Sequence, residues 1–280
     1  MQAWYEDAIR RLRVPVERHW CTTRVGRTHV LVAGSESAPP LVALHGWGGN
    51  ALGMARQLEG LSDVFRVYAP DTIGQTGQSA DVRPSIKGSA YAEWLMDVLD
   101  GLAIRRARLV GVSGGGWLAL RLATLGGERI ERAALISSSG FVRPTWLSPS
   151  AIPATLWPIL FPSRRSVRAF LRFTSAPGWS PPEGVLEMFE RFFRHAAVRR
   201  LEPQPPFSDS ELRAVRVPIL LLVGEHERIF SPQRTVARAR ALIADVQAEI
   251  VPGVGHLMSE ERPELVNRRI REFMLAGGDA

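Results

Sequence analysis

Cysteine, lysine and long apolar runs are all scarce in this sequence. Cysteine occurs once, at Cys21, so no internal disulfide is available and a reducing cytoplasm is the expected location. The acidic first seven residues do not resemble a secretory signal peptide. The longest apolar stretch outside the predicted strands covers residues 151–161, which is too short to cross a bilayer. We therefore predict a cytoplasmic protein without a membrane-spanning segment.

Lysine occurs only at Lys87, so almost all of the positive charge is carried by arginine. The formal net charge is +7 and the pI is about 10.7, which by itself would suit a nucleic acid or an anionic membrane as partner. The arginines, however, are spread from Arg10 to Arg271 and form no block or stripe. We expect a small-molecule substrate, with neither a nucleic-acid nor a membrane partner. The sequence leaves a homo-oligomer open.

Short apolar runs alternate with amphipathic stretches along most of the 280 residues. The central runs are apolar throughout, which is typical of strands that helices cover on both faces. We predict an α/β fold with a mostly parallel central sheet flanked by helices, and expect functional residues just beyond the carboxyl ends of its strands. The predicted strands are 20–25, 28–33, 41–44, 65–69, 107–112, 130–136, 218–223 and 248–251, and the predicted helices are 2–12, 86–102, 117–125, 234–243 and 264–274.

Residues 141–208 interrupt this alternation. They are rich in proline and aromatic residues and show helical patterns at 164–173 and 185–198, with no convincing strand. So long a segment inside a compact domain is usually functional or separately folded. We interpret it as a helical cap inserted into a core domain formed by residues 1–140 and 209–280. Four of its arginines have helical spacing and form either a site for an acidic group or, the preferred interpretation, a solvated basic face: Arg164, Arg165, Arg168 and Arg172.

A glycine-rich turn, Gly111-Val112-Ser113-Gly114-Gly115, joins a predicted strand to a predicted helix. The pattern G-x-S-x-G at such a turn is typical of an exposed serine nucleophile, because glycines permit a sharp turn that side chains would obstruct. The N-terminus of the following helix favours negative charge that develops nearby. A phosphate-binding turn is the alternative, but the P-loop and dinucleotide-binding patterns are missing here. Ser113 is therefore the candidate nucleophile.

A serine nucleophile needs a general base, and the base needs an acid that orients it. His256 follows the last predicted strand in a glycine-containing loop and is the candidate base. Glu225 and Glu227 follow the strand at 218–223, and either could be the acid. Glu227 is preferred because it lies further into the loop. Alternatively, both glutamates are exposed acids beside Arg228 and neither takes part in catalysis.

An oxyanion hole is the remaining requirement for acyl transfer. The predicted strand 41–44 ends in His45-Gly46-Trp47-Gly48, where closely spaced glycines let the backbone approach a bound carbonyl group. We expect the N–H groups of Trp47 and Gly114 to stabilise the oxyanion, and His45 to brace the loop. No cluster of residues has metal-ligand spacing, so we expect neither a metal nor a cofactor.

Together these motifs resemble the α/β-hydrolase fold family over about residues 27–274. The order Ser113, Glu227, His256 matches the family's order of nucleophile, acid and histidine. The segment Pro70 to Ser79 resembles the family's loop after the preceding strand. One departure is the glutamate at position 227, where the family more often has aspartate.

The resemblance implies a serine hydrolase that cleaves a carboxylic ester through an acyl-enzyme. The aromatic cap favours a largely apolar substrate of small to medium size. Serine at position 113 argues against the haloalkane dehalogenases and epoxide hydrolases, which need aspartate there. The same residues could instead cleave a carbon–carbon bond, a lactone, a thioester or a peptide. A ligand-binding relative without catalytic activity is the alternative from a different class.

Overall fold

The computed structural model describes residues 2–145, 152–195 and 202–276, and a single eight-stranded sheet runs through them. The first two pairings, β1 with β2 and β2 with β4, are antiparallel, and every later pairing is parallel. The spatial order is β1-β2-β4-β3-β5-β6-β7-β8, for strands at Glu17–Thr23 (β1), Gly26–Ala33 (β2), Pro40–Leu44 (β3), Arg66–Pro70 (β4), Ala107–Val112 (β5), Ile130–Ile136 (β6), Ile219–Gly224 (β7) and Val246–Val251 (β8). The prediction of a mostly parallel α/β sheet is confirmed.

Eleven α-helices lie in the described residues: Gln2–Arg10 (α1), Ala55–Leu61 (α2), Ala90–Gly101 (α3), Gly114–Leu125 (α4), Ile152–Leu160 (α5), Arg164–Thr174 (α6), Glu183–His195 (α7), Asp209–Ala214 (α8), Pro232–Leu242 (α9), Met258–Glu261 (α10) and Pro263–Leu275 (α11). The sequence patterns did not predict α2, α5, α8 or α10. The predicted helix 86–102 begins only at Ala90, because Gly88 has a positive φ of 88° that interrupts a helix there. None of the described helices has the length and apolar character needed to span a membrane.

Strand β1 begins and ends earlier in the sequence than the predicted strand 20–25. Strand β1 ends at Thr23, which pairs with Gly26, so Arg24 and Val25 form the hairpin turn between β1 and β2. The φ of +122° at Gly26 suits this turn. The sequence pattern extended the strand into the turn because Val25 is a strong strand former.

Helices cover both faces of the sheet, which explains why its central strands are apolar throughout. Successive side chains of β3 belong to opposite layers of the core, with Val42 and Leu44 in one and Leu41 and Ala43 in the other. The fully buried Trp94 of α3 and Trp117 of α4 fill the first layer, while α2 and α11 cover the second.

Helices α5, α6 and α7 lie between β6 and α8, inside the predicted insertion. We call their span, residues 152–195, the insertion. It has its own small apolar cluster, built from α6 and α7: Val167, Leu171, Val185, Leu186 and Phe193. The α6 helix starts in a capping box formed by Ser163 and Ser166. The predicted helix 185–198 extends past α7 into residues outside the described ranges, so its end stays a prediction.

A buried carboxylate at the end of β4 joins the N-terminal helix to the sheet. Asp71 is fully buried and accepts hydrogen bonds from the Tyr5 hydroxyl at 3.0 Å, His29 Nδ1 at 2.9 Å, and the N–H groups of Ala51 at 2.7 Å and Gln78 at 2.8 Å. Burial alone would raise the pKa of Asp71, but these donors outweigh it and hold the pKa below its usual value. The carboxylate thus connects α1, β2 and the two loops that follow β3 and β4.

Replacing Tyr5 by phenylalanine is expected to lower the free energy of unfolding by about 1–3 kcal/mol, because it deprives the buried Asp71 of one donor. Urea unfolding followed by circular dichroism measures the change, with an unaltered denaturant dependence showing that stability alone has shifted. Tyr68→Phe is the control, because it removes a hydroxyl from a half-buried position of β4, where its partner Arg66 keeps an ion pair with Glu17. Equal stability of the Tyr5 variant and the wild type would contradict a stabilising role for this contact.

Candidate active site

Ser113 occupies a strained turn between β5 and α4. Its φ of 52° and ψ of −113° lie in a region that residues with a side chain rarely adopt. Its N–H donates to the Ile136 carbonyl at 2.8 Å, which anchors the turn to β6, and its carbonyl accepts from the Trp117 N–H at 3.2 Å. The hydroxyl therefore projects from the carboxyl end of β5 at the first turn of α4, as the G-x-S-x-G pattern predicts.

Two glycines of the motif are needed because backbones approach each other closely. A Cβ at Gly111 would collide with the backbone of Gly115, and a Cβ at Gly115 would collide with the Leu44 carbonyl at the end of β3. Helix α4 can therefore start directly against β3 and β5 only when both positions lack a side chain. This packing brings the loop after β3 next to Ser113.

The structure brings Ser113, His256 and Glu227 into one hydrogen-bonded chain. His256 Nε2 lies 3.1 Å from Ser113 Oγ, and His256 Nδ1 lies 2.6 Å from Glu227 Oε2. Because the glutamate accepts the proton of Nδ1, Nε2 is free to act as the acceptor for the serine hydroxyl. The imidazole is buried, whereas Ser113 is only half-buried and accessible to a substrate.

Burial distinguishes the two glutamates that the sequence left open. The side chain of Glu227 is fully buried, and its Oε1 accepts the Ile229 N–H at 2.7 Å, which fixes the carboxylate in place. Glu225 is exposed and instead binds the N–H of Gly253 at 2.9 Å. Of the two glutamates, Glu227 is the one that contacts His256.

The backbone of Trp47 lies against Gly114, the residue that follows Ser113. A Cβ placed on Gly114 would lie 3.0 Å from the Trp47 nitrogen. Neither N–H donates to another residue in the described part of the chain, so both remain available to a bound oxyanion. Gln75 holds the neighbouring Gly48 N–H at 2.5 Å and so fixes this loop. Gln75 lies in the segment that resembles the family's loop, but no local pattern in the sequence predicts this contact.

His45 braces the same loop from inside the protein. Its Nδ1 donates to the Gly46 carbonyl at 2.8 Å, and its Nε2 accepts the N–H of Thr72 at 3.0 Å. Burial lowers the pKa of His45, which keeps the ring neutral and able to accept this bond. The contacts agree with a bracing role and leave no free ring nitrogen for chemistry.

A cavity of about 240 Å³ opens onto Ser113 and His256. Its walls are mainly apolar and come from the core and from the insertion: Trp47, Phe170, Met188, Phe189, Phe192, Ile229 and Leu257. Side chains of the insertion therefore share this cavity with Ser113 and His256. Trp4 of α1 also lines the cavity, which the amphipathic pattern of that helix did not reveal.

Two charged side chains lie in the cavity wall, and each has a partner. Arg191 binds Glu187 at 3.1 Å and lies over the ring of Trp4, while Glu260 binds Arg56 at 3.0 Å. Burial raises the pKa of Glu260, and the Arg56 guanidinium opposes this in part. The four α6 arginines that the sequence singled out are exposed and do not line the cavity, which agrees with a solvated basic face.

The sequence and fold are similar to those of known hydrolases. Residues 41–269 match the model of the alpha/beta hydrolase family. The uncharacterized carboxylesterase nap of Bacillus subtilis strain 168 is 32% identical over 97% of this chain and 91% of that protein. The crystal structure of carboxylesterase CesB (YbfK) from Bacillus subtilis superposes with a TM-score of 0.86 at 30% identity, covering 99% of this chain and 98% of that one. That of naproxen esterase (carboxylesterase NP) from the same organism gives 0.81 at 29%, covering 98% and 96%.

The geometry predicts opposite outcomes for two matched substitutions. Glu227→Gln is expected to lower turnover at least about 100-fold, because an amide can present its NH₂ group to Nδ1 and favour the wrong tautomer of His256. Glu225→Gln changes the same chemistry at an exposed position and should leave turnover near that of the wild type. Steady-state kinetics on a chromogenic ester measures both. A strong loss in the Glu225 variant, with the Glu227 variant active, would reverse the assignment.

Proposed function

The chain belongs to the alpha/beta hydrolase family, and on that premise we propose that it is a serine carboxylesterase with Ser113 as nucleophile, His256 as general base and Glu227 as the acid that orients the histidine. The observation that carries this proposal is the continuous chain of hydrogen bonds from Glu227 through His256 to the hydroxyl at the strained turn. Relatives called carboxylesterases, which match this chain over almost its full length, support the reaction class.

In the first half of the reaction, Ser113 Oγ attacks the carbonyl carbon of the ester while His256 Nε2 takes its proton. The carbonyl oxygen becomes an oxyanion that accepts hydrogen bonds from the N–H groups of Trp47 and Gly114. Loss of one such donor typically costs about 3–4 kcal/mol of transition-state stabilisation. The tetrahedral intermediate then collapses, the alcohol oxygen leaves with the proton from His256, and the acyl group stays on Ser113.

In the second half, a water molecule takes the place of the alcohol. His256 accepts a proton from the water as its oxygen attacks the acyl carbon, and the same two N–H groups stabilise the second oxyanion. Collapse of that intermediate releases the carboxylic acid and returns the proton to Ser113 Oγ. Glu227 stays hydrogen-bonded to Nδ1 and stabilises the imidazolium that forms twice in each cycle.

The cavity supports a substrate that is largely apolar and of modest size. Its volume of about 240 Å³ lies just below the usual range for drug-sized ligands, and aromatic side chains from the insertion form much of its wall. The charges of Arg191 and Glu260 are both paired within the protein, so neither demands an oppositely charged group on the substrate.

An active-site phosphonate tests the nucleophile directly. A p-nitrophenyl alkylphosphonate is expected to phosphonylate Ser113 in the folded wild type, with release of one p-nitrophenolate per chain and loss of esterase activity. Intact-mass and peptide mass spectrometry locate the adduct. The Ser113→Ala variant should form no adduct and lose activity by about 10³-fold or more. Absence of labelling in the folded wild type would instead favour a ligand-binding protein without turnover.

The insertion wall is expected to control preference for the acyl group. Phe192→Ala should lower kcat/KM for a p-nitrophenyl arylalkanoate about 10-fold more than for p-nitrophenyl acetate, because only the larger acyl group reaches that side chain. Phe161→Ala removes a ring that is 68% exposed and outside the cavity, and is the matched control. Equal losses on both esters would show that the acyl group lies elsewhere.

A further inference from the structure

The loop that carries His256 is held by the core in its first part and by the insertion and α10 in its second part. Up to Val254 it is held by the core, where Glu225 accepts the Gly253 N–H and the Val254 carbonyl accepts the His226 N–H at 2.9 Å. Beyond that point the backbone hydrogen bonds of the loop go to the insertion and to α10. The N–H of His256 itself donates to the carbonyl of Thr174, at the end of α6, at 2.7 Å.

Glu261 joins these two parts of the chain. Its two carboxylate oxygens each lie 3.0 Å from the Gly255 nitrogen, and Oε2 also accepts the N–H of Ala176 at 2.9 Å. One carboxylate therefore holds the residue before His256 and the second residue after α6 at the same time. Ionised oxygens that accept backbone N–H groups form stronger hydrogen bonds than neutral acceptors do.

Close packing also brings the His256 loop and the end of α6 together. A Cβ at Gly255 would lie 2.6 Å from the Thr174 carbonyl oxygen and 2.7 Å from Ser175 Cα, so the backbones touch where glycine is required. On the other side of the histidine, Leu257 packs against the apolar cluster of the insertion. His256 is thus flanked on both sides by residues that contact the insertion.

From these contacts we propose that Glu261 is a positioning residue, which clamps the His256 loop to the insertion at Ala176 and thereby sets the distance from the imidazole to Ser113. The proposal rests on the proposed role of His256 as the general base. It gives the insertion a second task beside lining the cavity: the end of α6 is part of the support of the catalytic histidine.

The charge of Glu261 matters for these backbone contacts. Burial raises the pKa of Glu261, and the Ala176 and Gly255 N–H groups oppose this because they donate to the ionised carboxylate.

Glu261→Gln tests the clamp. Its amide keeps the size of the side chain but removes the charge and replaces one oxygen by an NH₂ group, which would oppose the Gly255 N–H as donor to donor. We expect kcat to fall about 10- to 100-fold with KM changed less than about threefold, because the reacting groups are displaced while the cavity is kept. Phosphonylation of Ser113 should slow by a similar factor. A purely structural role would lower thermal stability and leave kcat and the labelling rate of the folded protein unchanged.

Glu264→Gln is the matched control, because it removes the same charge three residues later at an exposed position. It should keep the wild-type kcat and labelling rate. A folded Glu261→Gln protein with wild-type kcat and labelling rate overturns the proposal. If the wild type itself is not phosphonylated, the proposed function fails; if it is labelled and only the Glu261 variant behaves as wild type, the clamp alone fails.

Hydrogen exchange of the wild type provides a measurement that does not depend on the variant's folding. The amides of Gly255, His256 and Ala176 are expected to be protected together, at rates at least about tenfold below those of exposed loop amides. Amide-resolved exchange by NMR or by mass spectrometry with fragmentation measures them. Exchange of these three amides at the rate of exposed loops would show that no clamp exists.

Discussion

The close packing at the start of α4 is the constraint on which the rest of the site depends. Gly111 and Gly115 let β3, β5 and α4 meet without intervening side chains, and the chain can pass from strand to helix there only with Ser113 at positive φ. Such a conformation costs of the order of 1–3 kcal/mol and persists because its surroundings hold it. The anchor to the Ile136 carbonyl on β6 is part of that support. The close packing of Gly115 against the end of β3 also places Trp47 beside Gly114.

Parallel pairing then gathers the remaining groups. Strands β3, β5, β7 and β8 all end at one edge of the sheet, so the loops that follow them converge although they are far apart in sequence. At that edge, two glutamates with identical side chains differ in burial and therefore in their contacts. Glu227 is enclosed and bonded to the Ile229 N–H, whereas Glu225 faces solvent and accepts the Gly253 N–H in the loop that carries His256. The two glutamates therefore differ in solvent exposure and in the group that each carboxylate contacts.

The insertion contributes to the site through contacts of two kinds. Its aromatic side chains, such as Phe189 and Phe192, close an apolar cavity over Ser113. Its backbone at Thr174 and Ala176 reaches the loop of the histidine directly and through Glu261. One segment therefore forms part of the cavity wall and also supports the loop of His256. The shape of the cavity is linked in this way to the geometry of the reacting groups.

The alternation of strands and helices, the strand-to-helix turn at Ser113 and the chain order of the candidate residues were all readable from the sequence, because apolar periodicity and glycine placement act locally. The sequence preferred Glu227 and a solvated face for the α6 arginines but left the alternatives open, and the tertiary structure decided both. It also brought Trp4 into the cavity wall and revealed the contacts of Glu261. These outcomes depend on which surfaces pack together across distant parts of the chain, and no local pattern encodes burial or direction at that range.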